Sequence, residues 1–281
     1  MAGSSHAVDI HRFRNGKQAS QSDTVAVEEP LEIRLAWSTP DGRATRSVSI
    51  TMRTPGNDEE LAVGFLVSES LIRGPADFAS VESCGPPAPD SGNHNVIRVD
   101  LAANVDVDLG RLQRHFYTTS SCGVCGKASL DALRVIGVES QVGNTARFER
   151  SVLTSIPDKL RAAQTTFDET GGLHAAAAFT QTGDLVVTRE DVGRHNAVDK
   201  VIGALLLRNQ LPATELGLMV SGRASFELMQ KTVVAGMPLL AAVSAPSSLA
   251  VELAGEFGVT LVGFLRGDTF NVYAGEERIC E

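Results

Sequence analysis

A regular alternation of strand-length and helix-length apolar patterns constrains the fold of this chain more than any other feature. The alternation runs from Ser151 towards the end of the chain. Its clearest units are, in order, a strand, a helix, a strand, a helix and a strand over Leu216–Val220, Ala224–Ala235, Leu239–Val243, Ser247–Phe257 and Thr260–Leu265. Such repeats form a sheet with parallel strands and helices on both faces. The ligand of such a sheet normally lies beyond the carboxyl ends of its strands.

The chain before Ser151 has a different character. Residues 25–35 and 46–52 alternate apolar and polar side chains around a Pro-Asp-Gly turn, which predicts a β-hairpin. An amphipathic helix follows, with Asn57 or Asp58 as its cap. The sequence therefore predicts four parts: a polar, mobile N-terminal arm over 1–22, a small α+β domain over 23–115, a cysteine loop and connector over 116–150, and the α/β domain over 151–281.

A Cys-x-x-Cys pair is the sharpest local motif. Cys122 and Cys125 lie in a Gly/Ser-rich stretch that runs through Lys127 into a short helical pattern. Backbone N–H groups at a helix start, together with a lysine, lower a thiol pKa and give a nucleophilic thiolate. Half of a zinc site, a redox pair and two structural thiols are the alternatives. A zinc site needs about four ligands and no second pair of this kind exists in the sequence.

Three further clusters follow predicted strands. The first, Thr188–Lys200, is dense in charge and contains Arg194 and His195. The second is the Ser-Gly-Arg turn that ends at Arg223, where helix N–H groups and one guanidinium could hold a phosphate. The third is the hairpin Gly263–Tyr273. Each also fits a plain structural interpretation, as an exposed charged turn, a common strand–helix turn or a closing hairpin. His174 could equally be structural or functional.

Charge and composition exclude several classes of protein. With 25 Lys and Arg against 34 Asp and Glu, the net charge of −9 would repel a phosphate polymer, so we expect no nucleic acid partner. No apolar run approaches the roughly 20 residues that span a bilayer, and no signal h-region follows the basic N-terminus. We therefore expect a cytoplasmic protein. Cys84 and Cys280 have no motif context, which favours incidental thiols.

Taken together, the motifs resemble those of the FdhD family, the accessory sulfurtransferases of formate dehydrogenase. The resemblance covers about Val25 to Tyr273. It rests on Arg53-Thr54-Pro55-Gly56 before Glu59-Glu60-Leu61, Ser121-Cys122-Gly123-Val124-Cys125-Gly126, Gly171-Gly172-Leu173-His174, Asp191-Val192-Gly193-Arg194-His195-Asn196, and Ser221-Gly222-Arg223 with Phe226-Glu227.

The resemblance implies a C-terminal three-layer α/β/α domain like that of cytidine deaminase. It also implies that a cysteine desulfurase loads a persulfide on Cys122, with Cys125 as its companion. The sulfur then passes to the bis(molybdopterin guanine dinucleotide) molybdenum cofactor before that cofactor enters formate dehydrogenase. By position, the cofactor-binding segment of the family corresponds to Phe264, Leu265, Arg266, Gly267, Asp268 and Thr269. Deaminase chemistry does not carry over, because His174 is followed by two alanines and no glutamate.

The sequence thus predicts a sulfur carrier whose cofactor pocket is formed by Arg194, His195, Arg223 and the Phe264–Thr269 segment. We expect no metal held by the protein itself, and a homodimer, the commonest closed oligomer. A molybdenum-cofactor chaperone without sulfur transfer and a zinc-stabilised interaction protein are the rival functions. The sequence leaves open the formate dehydrogenase served, the separate roles of the two cysteines, the desulfurase docking surface and the order of sulfur loading and cofactor binding.

A finer expectation concerns the guanine base. The carboxylate of Asp268 could accept hydrogen bonds from N1–H and the 2-amino group of guanine, and adenine has no such donor pair. Such a desolvated interaction is worth on the order of 1.5–3 kcal/mol. Guanosine diphosphate should therefore bind better than adenosine diphosphate.

Overall fold

The structure, a computed structural model, describes residues 3–89, 91–103, 105 and 138–281. Within these ranges the strands are β1 (Ser5–Arg14), β2 (Lys17–Ala26), β3 (Glu29–Thr39), β4 (Gly42–Arg53), β5 (Phe78–Pro87), β6 (His94–Leu101), β7 (Phe148–Glu149), β8 (His174–Phe179), β9 (Leu185–Asp191), β10 (Gly217–Val220), β11 (Leu239–Ala242), β12 (Thr260–Arg266), β13 (Thr269–Ala274) and β14 (Ile279–Cys280). The helices are α1 (Asp58–Ser68), α2 (Arg150–Ala162), α3 (Thr165–Thr170), α4 (Arg194–Leu207), α5 (Phe226–Val234) and α6 (Ser248–Phe257).

A six-stranded sheet organises the C-terminal part in the order β13-β12-β11-β10-β8-β9. Strands β10, β11 and β12 are parallel, as the strand–helix alternation predicts. The outer strands β8, β9 and β13 run antiparallel to their neighbours. Short turns at Gly183 and Gly267 account for the pairs β8–β9 and β12–β13, because a tight turn joins antiparallel strands, whereas a parallel pair needs a long crossover.

Helices cover both faces of this sheet. Apolar residues of α2, among them Ile156, pack with Phe179 and Met219 on one face. Residues of α4, α5 and α6 pack on the opposite face in a larger core. The predicted α/β class is therefore confirmed, and the likeness to cytidine deaminase stays a prediction.

A four-stranded sheet of order β4-β3-β6-β5 forms the N-terminal part. Its Leu31, Ile33 and Leu35 point into the same large core, and helix α1 lies between this sheet and α4. The two helices touch backbone to backbone. A Cβ at Gly64 would lie 1.8 Å from the Asp199 carbonyl oxygen, and one at Gly203 would lie 1.8 Å from that of Glu60. Only glycine at both positions permits this approach.

The first residues depart from the prediction. We expected a mobile arm over 1–22, but β1 and β2 pair in full register from Ser5↔Ala26 to Arg14↔Lys17. The signal that was missed is Asn15-Gly16, whose positive φ angles of 51° and 73° suit a two-residue hairpin turn. The predicted boundary between residues 115 and 116 lies outside the described residues, so that division stays a prediction. In the described part of the chain, no helix combines the length and apolarity needed to cross a bilayer.

Candidate functional site

The predicted sulfur-carrying residues lie outside the described residues. Cys122 and Cys125 fall in the range 106–137, so their roles stay predictions. In the described ranges, no group of three or more His, Cys, Asp or Glu side chains is arranged to hold a metal ion. The other candidate residues can all be placed.

Most of the other candidates meet at one edge of the six-stranded sheet, which we call the carboxyl edge. It consists of the ends of β9, β10, β11 and β12 and the start of β8. Hydrogen bonds join the segments that leave these strands: Ser221 N–H donates to Ala175 O at 2.9 Å, Ser244 N–H to Gly222 O at 3.3 Å, and Phe264 N–H to Ser244 O at 3.2 Å. The topology thus gathers residues that are far apart in sequence, as expected for parallel strands.

Three polar residues of the Thr188–Lys200 cluster, Asp191, Asn196 and Lys200, are buried and bonded to one another or to Thr54. Asp191 is wholly buried, and its carboxylate accepts hydrogen bonds from Thr54 N–H at 3.2 Å and Asn196 Nδ2 at 3.0 Å. Its ion pair with Lys200, which is 1% exposed, is 2.7 Å long. We call Thr54, Asp191, Asn196 and Lys200 the buried cluster. It joins the end of β4 to the start of α4, so these members of the motif are structural.

Another part of this cluster, Arg194 and His195, lies at the carboxyl edge together with His174. His174 and Arg194 flank Gly222, since a Cβ there would lie 3.5 Å from His174 Nδ1 and 3.9 Å from Arg194 Cδ. Among the described residues, the buried Arg194 Nε has no hydrogen-bond partner. Partial burial and, after it, the Arg194 charge lower the pKa of His174. The half-buried imidazole is therefore a neutral group beside an unsatisfied guanidinium nitrogen.

His195 is also neutral at physiological pH. Burial, the Arg194 charge and the Lys231 charge lower its pKa to about 4. Its Nε2 lies 3.8 Å from Glu227 Oε2, too long for a hydrogen bond, and has no partner in the described part of the chain. The contact is therefore not an ion pair at pH 7. We call His174, Arg194, His195 and Glu227 the edge cluster.

The hairpin after β12 contributes an exposed aromatic ring. Phe264 has a positive φ of 54°, which a bulky residue rarely adopts, and its side chain is 43% exposed. Such backbone strain at an exposed residue often marks a binding site. The next residue, Leu265, is fully buried in the core, so its side chain does not face the carboxyl edge.

The turn of this hairpin lies beside the end of β11. Arg266 Nε donates to Val243 O at 3.1 Å, and Thr269 Oγ1 donates to Arg266 O at 3.2 Å. Gly267 supplies the positive φ of the turn. Asp268 is exposed, as is Arg223 after β10.

Sequence reasoning assigned no role to Glu227 and left His174 undecided. Both belong to short motifs, the Phe226-Glu227 pair and the Gly-Gly-Leu-His stretch, but only the fold brings them to Arg194 and His195. A polar residue within the first turn of a helix, as Glu227 is in α5, was the available signal.

Comparisons with known proteins agree on one family. The sequence profile of the FdhD/NarQ family matches residues 26–280. The sulfur carrier protein FdhD of Streptomyces avermitilis is 54% identical over 96% of this chain and 94% of its own length. Proteins of the same name from Mycobacterium tuberculosis and Sulfurisphaera tokodaii are 51% and 44% identical, over 92% and 97% of this chain and 93% and 98% of theirs.

A solved structure has the same overall fold. It is the crystal structure of a Desulfotalea psychrophila protein described as a candidate formate dehydrogenase accessory protein. The TM-score is 0.74 at 25% identity, and the match covers 99% of this chain and 100% of that one.

Proposed function

Because this chain belongs to the FdhD/NarQ family, we propose that it is a cytoplasmic sulfur carrier for formate dehydrogenase. A cysteine desulfurase supplies the sulfur, Cys122 holds it as a persulfide, and Cys125 assists its transfer or release. The acceptor is the bis(molybdopterin guanine dinucleotide) molybdenum cofactor, which receives sulfur before it enters formate dehydrogenase. The observation that carries the proposal is the near-full-length match to relatives named as sulfur carrier proteins.

Sulfur loading is an exchange at sulfur that needs no external oxidant. The Cys122 thiolate attacks the terminal sulfur of the desulfurase persulfide, the S–S bond of that persulfide breaks, and the desulfurase leaves as a thiolate. One S–S bond forms as one breaks. A reactive thiolate at neutral pH is the main requirement.

The carboxyl edge supports the choice of an anionic, nucleotide-bearing acceptor. Arg194 has an unsatisfied Nε, and Arg223 and Arg266 are exposed, so three guanidinium groups are available to phosphate oxygens. Phe264 presents a ring on which a purine could stack. His195 is neutral and can accept or donate one hydrogen bond without adding charge.

Intact mass spectrometry tests the sulfur-carrying step. After incubation with a cysteine desulfurase and cysteine, the protein should gain the mass of one sulfur atom, and a thiol reductant should remove it. Cys122→Ala should abolish this gain and the maturation of active formate dehydrogenase. The matched controls Cys84→Ala and Cys280→Ala should keep both.

Sulfur loading, formate dehydrogenase activity and metal analysis together separate the rival functions. A Cys122→Ala protein that still gains sulfur, or that still supports formate dehydrogenase, would remove the central claim. A chaperone without sulfur transfer would bind the cofactor yet gain no mass. Zinc bound stoichiometrically by the purified protein would favour the interaction protein.

A further inference from the structure

Two adjacent residues of the edge cluster have buried nitrogens without a hydrogen-bond partner among the described residues. The atoms are Arg194 Nε and His195 Nε2. Both residues lie in the first turn of α4, at the carboxyl edge, where the proposed function places the phosphates of the acceptor. Because buried nitrogens are normally paired, these two mark the place at which an anionic ligand would complete the site.

The same place holds a carboxylate, which opposes the binding of an anion. Glu227 Oε2 lies 3.8 Å from His195 Nε2. Partial burial raises the pKa of Glu227, but hydrogen bonds and nearby positive groups outweigh it, so the pKa is lowered and the group is ionised at neutral pH. A negative charge so close to a bound phosphate weakens binding by like-charge repulsion. An anion site with this carboxylate therefore needs a compensating cation beside it.

His195 is the group that can supply this positive charge. Charged and titratable groups face its ring from three elements: Arg194 on α4, Glu227 and Lys231 on α5, and His174 on β8. Burial, the Arg194 charge and the Lys231 charge lower its pKa to about 4, whereas Glu227 raises it. A phosphate bound at Arg194 would cancel part of the effect of that guanidinium. Anion binding therefore favours the protonated ring.

The cation below this pair is fixed in place. Lys231 Nζ lies 2.6 and 2.8 Å from the two carboxylate oxygens of Asp199, and Ser68 Oγ donates to the same carboxylate at 2.7 Å. His195 and Asp199 are four residues apart on α4, as Glu227 and Lys231 are on α5, so the two helices face each other in two polar layers. The inner layer is buried and paired. The outer layer can change its charge while the inner one stays as it is.

We propose that the edge cluster is a proton-coupled anion site, in which His195 takes up one proton as a phosphate group binds at Arg194 and then pairs with Glu227. The proton comes from solvent and binds at Nε2, and no other covalent bond forms or breaks. A shift of about 1 Å would shorten the contact with Glu227 to a charge-assisted hydrogen bond. Glu227 is thus a positioning residue for the imidazolium. The inference rests on the proposed function, which assigns the nucleotide of the acceptor to this edge.

Calorimetry with guanosine diphosphate mannose tests the coupling. Its diphosphate is esterified at both ends, as in a dinucleotide, so its phosphates do not titrate in the pH range used. If the bound ring regains a pKa near its ordinary 6.5, about three quarters of a proton should be taken up at about pH 6, and the affinity should rise about fourfold between about pH 8 and pH 6. Buffers with different ionisation enthalpies give the proton count.

Substitutions separate the roles of the two residues. His195→Gln should abolish the proton uptake and make the affinity independent of pH. Glu227→Gln removes a repulsive charge, so it should lower the proton uptake yet strengthen binding about twofold at about pH 8. A residue that only supported the fold would not strengthen binding. The controls Glu215→Gln, which precedes β10 at the opposite edge of the sheet, and His11→Gln in the hairpin β1–β2 should change neither quantity.

Carbon-13 NMR of the histidine rings gives a second measurement. The ring signal that is absent from His195→Gln should titrate at a higher pH in the complex than in the free protein. Binding without proton uptake, uptake that is lost in His174→Gln and retained in His195→Gln, or no binding at any pH would each overturn the inference. The sulfur gain at Cys122 is measured without nucleotide. Loss of that gain with the proton uptake intact would remove the sulfur-carrier function and leave this inference standing.

Discussion

The buried cluster and the edge cluster both take members from one short stretch of sequence, residues 191–200, but use their polar groups in opposite ways. In the buried cluster the Asp191 carboxylate has backbone, amide and ammonium partners, and no solvent reaches it. In the edge cluster Arg194 Nε and His195 Nε2 have no partner among the described residues. Because buried polar groups are normally paired, a satisfied group indicates a structural role, whereas an unsatisfied group at the carboxyl edge is a candidate for ligand binding.

The largest effect that tests this comparison should come from removing the cation of the buried cluster. Lys200→Met leaves the Asp191 charge buried without its ion-pair partner, which should cost about 3–5 kcal/mol of the free energy of unfolding. Urea denaturation measures the effect. The control Lys17→Met, on the exposed arm, should change stability little.

A second substitution separates charge from packing in that cluster. Adding Asp191→Asn to Lys200→Met removes the unpaired charge and should recover part of the lost stability. If Lys200→Met alone proved as stable as the wild type, the buried cluster would not be the structural half of the site.

The converse change in the edge cluster should affect binding and leave stability almost unchanged. Arg194→Met removes a guanidinium whose Nε has no hydrogen-bond partner among the described residues, so the free energy of unfolding should change little. Loss of a charged hydrogen bond to phosphate should weaken guanosine diphosphate binding by about 1.5–3 kcal/mol. Calorimetry gives the affinity. If Arg194→Met lowered the free energy of unfolding but left the affinity for guanosine diphosphate unchanged, Arg194 would have a structural role like that of the buried cluster.

Nucleotide selectivity sharpens the comparison by testing whether the hairpin turn belongs to the edge site. Because Asp268 is exposed, its hydrogen bonds to guanine are weakened by solvent. They should raise the affinity for guanosine diphosphate over adenosine diphosphate about tenfold, or about 1.4 kcal/mol. Guanosine diphosphate should bind that much better than adenosine diphosphate, and Asp268→Ala should remove the difference. Equal affinity of the wild type for the two nucleotides would argue against a guanine pocket.

The smallest expected effect is a pH dependence of stability that comes from the edge cluster. His195 has a folded pKa of about 4 and an ordinary value of 6.5, so the unfolded chain binds the proton more readily between these values. Stability should fall as pH drops from 6.5 towards 4, by about 1 kcal/mol once solvent screening of the partly exposed ring is allowed for. His174, whose pKa is also lowered, adds to the same trend.

Substitution of the ring tests this assignment. His195→Gln should flatten the pH dependence measured by urea denaturation across that window, and His11→Gln on the exposed arm should not. A slope that stays the same in His195→Gln would show that other groups cause it.

The sequence predicted the position of the carboxyl edge better than it predicted which residues there are buried and structural and which are available to a ligand. Strand ends could be located because apolar runs stop at turn residues, as at Ser221 and Gly222. The sequence could not show which charged residues are buried, because Asp191 and Arg194 are only three residues apart in one highly charged stretch. Asp191 is buried and Arg194 is not, because Thr54, 137 residues before Asp191, supplies a backbone N–H that donates to the Asp191 carboxylate. The arm was missed because the Asn15-Gly16 turn signal lies between mainly polar strands whose apolar alternation, at Val8 and Ile10, is short.

The glycine contact between α1 and α4 also has a consequence for biosynthesis. Helix α4 is buried from Asn196 to Leu206, enclosed by strands of its own half and by α1 from the other. As the N-terminal half is translated first, its helix α1 must wait, with Leu61 and Leu66 uncovered, until α4 has been synthesised. Contacts between residues so distant in sequence slow folding. We therefore expect neither half to be stable when expressed alone, and expect the nascent chain to depend on chaperones until α4 emerges from the ribosome.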